Sequence, residues 1–395
     1  MLSAPKSTFA DVVCLSHLRW HFVFQRPQHL LTRCARDHRV FFIEEPVIDQ
    51  SLAAAELDVD RSGPVTVVVP HLPATLNDRQ RELTQQCLLD GFLEREQVVD
   101  FVLWYYTPMA LRFSRHLTPR AIVYDCMDEL SAFKGASAQL KGLEAELMRR
   151  ADLVLTGGHS LYEAKRNQHS NIHPFPSSVD VAHFAQARVA VSQPADQAAL
   201  PRPRLGYFGV IDERMDLALL AGVASERPDW QIVMLGPIVK IDPASVPRAA
   251  NIHYLGPKPY KDLPQYVGGW DVALMPFARN EATRFISPTK TPEYMAAGKP
   301  VVSTSIRDVV RPYGQQGLVR IADDVGEFVQ ACSDAMLEDT PRRLAQADAF
   351  LRHTSWDRTW SRIHTLVNQA LGASAKEPRA SAPEPPLNFA QGATA

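Results

Sequence analysis

Short apolar runs alternate with longer amphipathic stretches along most of the chain, in two successive rounds. In the first round, residues 11–16 (DVVCLS), 40–44 (VFFIE), 65–69 (VTVVV), 101–105, 121–124 and 153–156 read as buried strands. Residues 27–36, 79–94 and 138–150 lie between them with helical spacing. In the second round, residues 205–208, 231–235, 252–255, 272–275, 300–303 and 318–321 are strands, with helices such as 216–224 and 262–267 between them. Such alternation predicts an α/β chain with parallel sheets covered by helices. An Ala/Gln/Pro-rich stretch from 185 to 203 predicts an interdomain linker. The expected division is a first domain at 1–185, a linker at 186–203, a second domain at 204–353, a helix at 354–371 and an Ala/Pro-rich tail at 372–395 whose composition predicts disorder. Two similar halves leave a cleft between them, towards which the C-terminal ends of parallel strands point.

Composition narrows the partners. A length of 395 residues suits two domains, and a formal net charge of -2 offers no global field for nucleic acid. The five cysteines (Cys14, Cys34, Cys87, Cys126, Cys332) are scattered and odd in number, without CxxC spacing. That argues for a reducing cytosol and against a zinc site or a disulfide frame. The opening MLSAPKSTFADVV lacks the apolar core of a signal peptide, and no apolar run reaches the roughly eighteen residues that cross a membrane. The expected location is cytoplasmic, and a peripheral contact at the inner face of the cytoplasmic membrane is compatible with it.

The richest stretch is 287–304, SPTKTPEYMAAGKPVVST. It reads as a loop, a short helix, a glycine stop and a buried strand. Pro288 or Pro292 suits the first helical turn, Ser287 or Thr291 the N-cap, and Gly298 the left-handed C-terminal cap. A helix start can hold a phosphate, Lys290 adds a full charge there, and Glu293 can accept hydrogen bonds from vicinal sugar hydroxyls. Phosphate and ribose gripped by one short element imply a nucleotide, most simply a nucleotide sugar. Other candidates sit at strand ends. Gly209 closes the first strand of the second half, where a phosphate can approach the backbone and Arg214 can clamp it. Lys258 lies in the turn Gly256-Pro257-Lys258-Pro259-Tyr260. Asp125 and Asp128 end a first-half strand, where a carboxylate can orient or deprotonate a sugar hydroxyl. In the run 17–29, His17, Trp20 and Arg26 suit a sugar face or an anionic group.

The run Glu293-Tyr294-Met295-Ala296-Ala297-Gly298-Lys299-Pro300-Val301-Val302 resembles the donor-binding segment of family-4-type, GT-B-fold glycosyltransferases (glycosyl transferases group 1). The family's usual pair of glutamates is broken here, because Phe285 stands at the first position. Where the family carries a glycine-rich turn with basic residues, Val210 replaces a common arginine and Arg214 is the basic candidate. Met127 falls in a histidine slot, while Asp128 keeps the acidic slot beside it. The turn at 256–260 resembles the loop that lines the nucleobase. Residues 151–156 and 178–184 resemble the family's strand and domain boundary, with Asp180 as a turn cap. The W-x-x-x-x-QRPQ-x-L pattern from Trp20 to Leu30 is similar to the opening of teichuronic-acid-type polysaccharide glycosyltransferases.

The resemblance implies two Rossmann-like domains in a GT-B fold. The second would hold the donor through Gly209, Arg214, Lys258, Ser287, Thr289, Lys290 and Glu293. The first would hold a glycan or lipid-linked acceptor through His17, Trp20, Arg26, Asp125 and Asp128. Asp128, Arg214 and Lys290 carry the expected chemistry, with no metal and no cofactor beyond a UDP- or GDP-type nucleotide sugar as substrate. The family mostly retains anomeric configuration, and the implied role is cell-surface polysaccharide biosynthesis. Two alternatives stand beside it: a GT-B-fold sugar-nucleotide epimerase and a non-catalytic nucleotide-sugar-binding subunit. A dinucleotide-dependent dehydrogenase is disfavoured, because no G-x-G-x-x-G follows either first strand.

Overall fold

The computed structural model of the protein describes residues 11–189 and 192–374. The expected tail therefore lies outside the described residues beyond Ser374, as do the first ten residues. The first half builds nine strands: β1 Asp11–Leu15, β2 Arg39–Ile43, β3 Val47–Asp49, β4 Glu56–Asp60, β5 Thr66–Pro73, β6 Phe101–Tyr105, β7 Ala121–Cys126, β8 Leu153–Thr156 and β9 Ile172–Pro174. Their order is β3-β5-β2-β1-β6-β7-β8-β9, parallel throughout, with β4 antiparallel on β5. The second half builds six parallel strands: β10 Arg204–Phe208, β11 Gln231–Leu235, β12 Ile252–Gly256, β13 Val272–Met275, β14 Val301–Ser303 and β15 Arg320–Ile321, ordered β12-β11-β10-β13-β14-β15. Each sheet starts in its middle, grows one way, then jumps across its first strand. The strand order reverses between β1 and β6 and again between β10 and β13, the positions where such sheets open a crevice.

The central strands β1, β6, β7 and β10 are buried along their whole length, so they read as unbroken apolar runs. The edge strands β3 and β4 are half-exposed and mixed in character, which hides them from an apolar pattern. The connection at 186–203 is not bare: it carries the helical turns Gln186–Arg188 and Ala195–Ala198. Gln197, fully buried, accepts from Trp270 Nε1 at 2.8 Å and donates to the Tyr266 carbonyl, fixing the segment to the second domain.

Three helices matter for the cleft. α1 (Arg26–Cys34) follows β1. α2 (Lys290–Ala296) precedes β14, and Gly298 after it takes the expected left-handed φ of +73°. Thr289, not Ser287 or Thr291, holds the N-cap position of α2, and it makes no side-chain cap. α3 (Trp356–Ser374) runs three residues beyond the expected end. It lays Trp356, Ile363, Val367 and Leu371 into the first domain's core beside Cys14, Leu30 and Trp104, so the last helix returns to the first domain.

The QRPQ run explains itself at α1. Buried Gln28 accepts from the Gln25 backbone N–H at 3.0 Å and donates to the carbonyls of Trp20 (2.7 Å) and Val23 (3.1 Å), which moulds the loop before the helix. Arg26 and Asp125, expected on the acceptor side, are instead tied to each other. The Arg26 guanidinium meets both Asp125 oxygens at 2.9–3.1 Å and donates to the Phe175 carbonyl at 2.8 Å. Asp125 is fully buried and Arg26 nearly so, so the two ions taken out of water hold each other, while Arg26 also borders the interdomain cavity. Arg26→Ala leaves the carboxylate buried alone and should cost about 3–5 kcal/mol of stability. Urea unfolding reads this directly, and an unchanged midpoint would contradict the pairing.

Candidate active site

The cleft between the sheets holds a cavity of about 600 Å³. The first domain lines it with the loop Trp20–Gln25 and with Asp128 after β7. The second domain contributes Gly209 and Arg214 after β10, Gly236 after β11, Lys258 and Tyr260 after β12, and the stretch from Ser287 to Glu293. Phe24 and Tyr260 stack across the gap with ring centroids 4.5 Å apart.

The second-domain wall is built around glycines at strand ends. Gly209 has φ +131° and Gly236 φ +142°, a region closed to most side chains. A Cβ on Gly236 would lie 1.9 Å from the Gly209 carbonyl oxygen, and one on Gly209 would lie 2.6 Å from Lys290 Nζ. The absence of both side chains lets Lys290 lie across the turn. Its ammonium sits 5.3 Å from the Tyr207 ring centroid and 5.9 Å from that of Phe277. Among the described residues it forms no hydrogen bond or ion pair. Burial, then repulsion from Arg214, pulls its pKa below the ordinary lysine value.

Glu293 lies one turn further along α2 and is 4% exposed. Its Oε2 is buried with no hydrogen-bond partner. Burial pushes the carboxyl pKa up, against the opposing pull of Lys290 and of the Thr289 hydroxyl. Arg214 is gripped by Asp212, with Nε 3.0 Å from Oδ1 and Nη2 2.7 Å from Oδ2. Burial disfavours its charge, but the Asp212 carboxylate outweighs burial and raises its pKa. It lines the cavity all the same, with its cation 5.7 Å from the Phe133 ring of the first domain.

The remaining candidates divide. Asp128 lines the cavity, half-buried; burial raises its carboxyl pKa, and Arg214, Arg26 and Lys240 oppose the rise. The 3-10 turn Leu130–Ala132 that follows has Glu129 at its N-cap position, so Asp128 is not a cap. Trp20 also lines the cavity, its N–H on Glu44 Oε1 at 2.8 Å. Lys258 borders the cavity with its ammonium engaged by Asp196 at 2.7 Å. Thr289 and Ser287 border it too, and Ser287 is held by Ser177 of the first domain. His17 and Asp125 do not line it. Burial pulls the His17 pKa down to about 4, so the ring is neutral near pH 7. Asp180 caps the helix Val181–Ala185, as its turn position suggests.

Lys240 escaped the sequence pattern. It stands at φ +62° in the loop after β11, with its ammonium 5.3 Å from the Phe133 ring. Its charge reaches His17, Glu45 and Asp128 of the opposite domain. Nothing in the string VKIDP marks such a residue, because its place depends on how the domains meet.

Residues 202–339 match a protein-family model described as "Glycosyl transferases group 1". The matched stretch holds the second domain's sheet from β10 to β15, and the fold of the chain is that of the GT-B glycosyltransferases. It is 25% identical over 256 residues to TuaH of Bacillus subtilis (strain 168), provisionally described as a teichuronic acid biosynthesis glycosyltransferase; the match covers 59% of this chain and 63% of TuaH, less than two thirds of that relative. Solved structures show the same fold at low identity. Sucrose-phosphate synthase from Thermosynechococcus elongatus has a TM-score of 0.67 at 13% identity, covering 92% of this chain and 100% of that one. HepE of Anabaena, solved with UDP and glucose, has a TM-score of 0.62 at 14% identity, covering 90% and 98%. The trehalose-6-phosphate protein from E. coli bound with UDP-2-fluoro glucose has a TM-score of 0.61 at 13% identity, covering 93% and 98%.

The raised Glu293 pKa has a consequence for stability. A group raised on folding contributes stability that is full below its unfolded pKa and is lost as the pH rises through the folded value. Glu293 should therefore weaken the ligand-free protein as the pH climbs out of the ordinary carboxylate range. Glu293→Gln should flatten that part of the melting-temperature profile. An unaltered slope would mean that Glu293 is not desolvated.

Proposed function

We propose that this chain transfers a sugar from a UDP- or GDP-type nucleotide sugar to a hydroxyl of a glycan or lipid-linked acceptor. One observation carries this reading. Lys290 is a half-buried ammonium that makes no hydrogen bond or ion pair among the described residues, and three residues on Glu293 is a buried carboxylate with one oxygen unpaired. A diphosphate supplies the anion that the first lacks, and ribose supplies the hydroxyl donors that the second lacks.

The chemistry follows from where charge develops. The bond between the anomeric carbon and the diphosphate oxygen breaks, and negative charge gathers on the leaving diphosphate. Lys290 and Arg214, already fixed around Gly209, stabilise that charge as it forms. The acceptor oxygen bonds to the anomeric carbon, and its proton passes to the leaving diphosphate oxygen. Asp128, its carboxyl pKa raised and facing the cavity from the first domain, orients that hydroxyl. Phe285, at the family's missing glutamate, packs towards the first domain's core, which leaves the diphosphate to the two cations. The reading includes a retaining outcome, as the family resemblance implies, without a metal ion.

The likeness to TuaH supports a role in cell-surface polysaccharide assembly. Among the described residues no helix is long and apolar enough to cross a membrane. The proposed place of action is the cytoplasm, with peripheral contact at the inner membrane face if the acceptor is lipid-linked. Glu293→Ala should weaken donor binding by about 2–3 kcal/mol, the loss of a charged hydrogen bond. Lys290→Ala should lower turnover by about a hundredfold, as for the loss of a donor to developing charge. Calorimetry with a panel of nucleotide sugars and product analysis check both; unchanged affinity and rate would overturn the assignment.

A further inference from the structure

The domains meet beside the loop that carries Lys290, in an unusual contact. Asp308, in the second-domain helix Arg307–Val309, accepts the backbone N–H of Ser160 at 2.9 Å. Ser160 lies in the first turn of the first-domain helix His159–Lys165, whose own N-cap residue is Gly158. Glycine has no side chain with which to cap, so a side chain from one domain satisfies a free helix-start donor of the other. Arg307 and Arg311 of the second domain pair with Glu163 on the same helix. Alongside, Ser177 of the first domain donates its O–H to the Ser287 carbonyl and its N–H to Ser287 Oγ. Ser287 opens the loop that leads to Lys290 and Glu293.

Gly158 shows how close this approach is. A Cβ there would lie 2.1 Å from Asp308 Oδ2 and 2.9 Å from Ser287 Cβ, both in the opposite domain. Its φ of -166° is extended and open to any residue, so only the other domain forbids a side chain. Asp308 Oδ2 and Ser160 Oγ, from opposite domains, are both buried at this contact.

We infer that Asp308 is a positioning residue: it caps the first domain's helix only when the domains are closed, and so ties the geometry of the donor loop to closure. This rests on the donor assignment of that loop. Opening the contact releases Ser287 from Ser177 and loosens the loop that holds Lys290 and Glu293. Asp308 itself touches neither donor nor acceptor.

The test uses the full chain, with UDP-glucose and GDP-mannose as probes and small-angle scattering as an independent readout. Asp308→Ala should enlarge the radius of gyration and raise the donor KM about fivefold, the equilibrium factor of one lost helix cap, with kcat unchanged. Asp308→Asn should behave as wild type, because its amide oxygen can accept the same N–H. Gly158→Ala should reproduce the Asp308→Ala effect from the other side. It alters no buried polar group, so it carries the test if Asp308→Ala fails to fold. Wild-type radius and KM in both Asp308→Ala and Gly158→Ala would overturn the proposal, as would an Asp308→Asn variant as impaired as Asp308→Ala. If the wild type binds neither nucleotide sugar, the donor assignment fails, while scattering still decides whether Asp308 holds the domains together.

Discussion

A half-buried ammonium and a buried carboxylate, each short of partners, set the terms for the whole cleft. Lys290 and Glu293 lie one turn apart on α2, and desolvation is the largest influence on both. Removing either charge from water is unfavourable unless a partner compensates. Their mutual attraction is a partial remedy, since Glu293 Oε2 still lacks a hydrogen bond. The surroundings keep them in place. Gly209 and Gly236 leave room for the lysine, Tyr207 and Phe277 flank its ammonium with rings, and Thr289 steadies the carboxylate. A site of this kind favours a ligand that brings an anion and hydroxyls together.

The fold delivers that pair to a place where two domains contribute. Both sheets reverse strand order at their first strand, and loops after β1 and β10 reach the same cavity. The two walls differ in character. Cations of the first domain near the cleft are neutralised at home: Arg26 by Asp125, and Arg19 by Glu44 at 2.9 Å. The second domain ties Arg214 to Asp212 but leaves Lys290 without a hydrogen bond or ion pair among the described residues. The first wall offers Trp20, Phe22, Phe24 and the carboxyl of Asp128.

Much of this was legible in the chain. Central strands such as β1 and β10 are covered on both faces, so their apolar runs mark them plainly. Lys290 and Glu293 could be named because a short helix and its glycine stop place them by local rules alone. The pairing of Arg26 with Asp125 was not legible, for a physical reason. They are 99 positions apart in sequence, and only the folded sheet shows that each is the other's partner. The half-exposed β3 and β4 were missed because an edge strand need not be apolar. Gln28, noted in the sequence only as part of the QRPQ pattern, tethers the loop at Trp20. Lys240, Ser177 and Asp308 act across the domain interface, which no local pattern encodes.

The central claim is that Lys290 and Glu293 await the diphosphate and ribose of a nucleotide sugar. A crystal structure of the protein with its nucleotide-sugar donor tests it most directly. The account predicts a diphosphate oxygen about 3 Å from Lys290 Nζ and a ribose hydroxyl at hydrogen-bond distance from Glu293 Oε2. A donor seated in the cleft with both groups still unpartnered, or with its diphosphate held by first-domain residues, would contradict it.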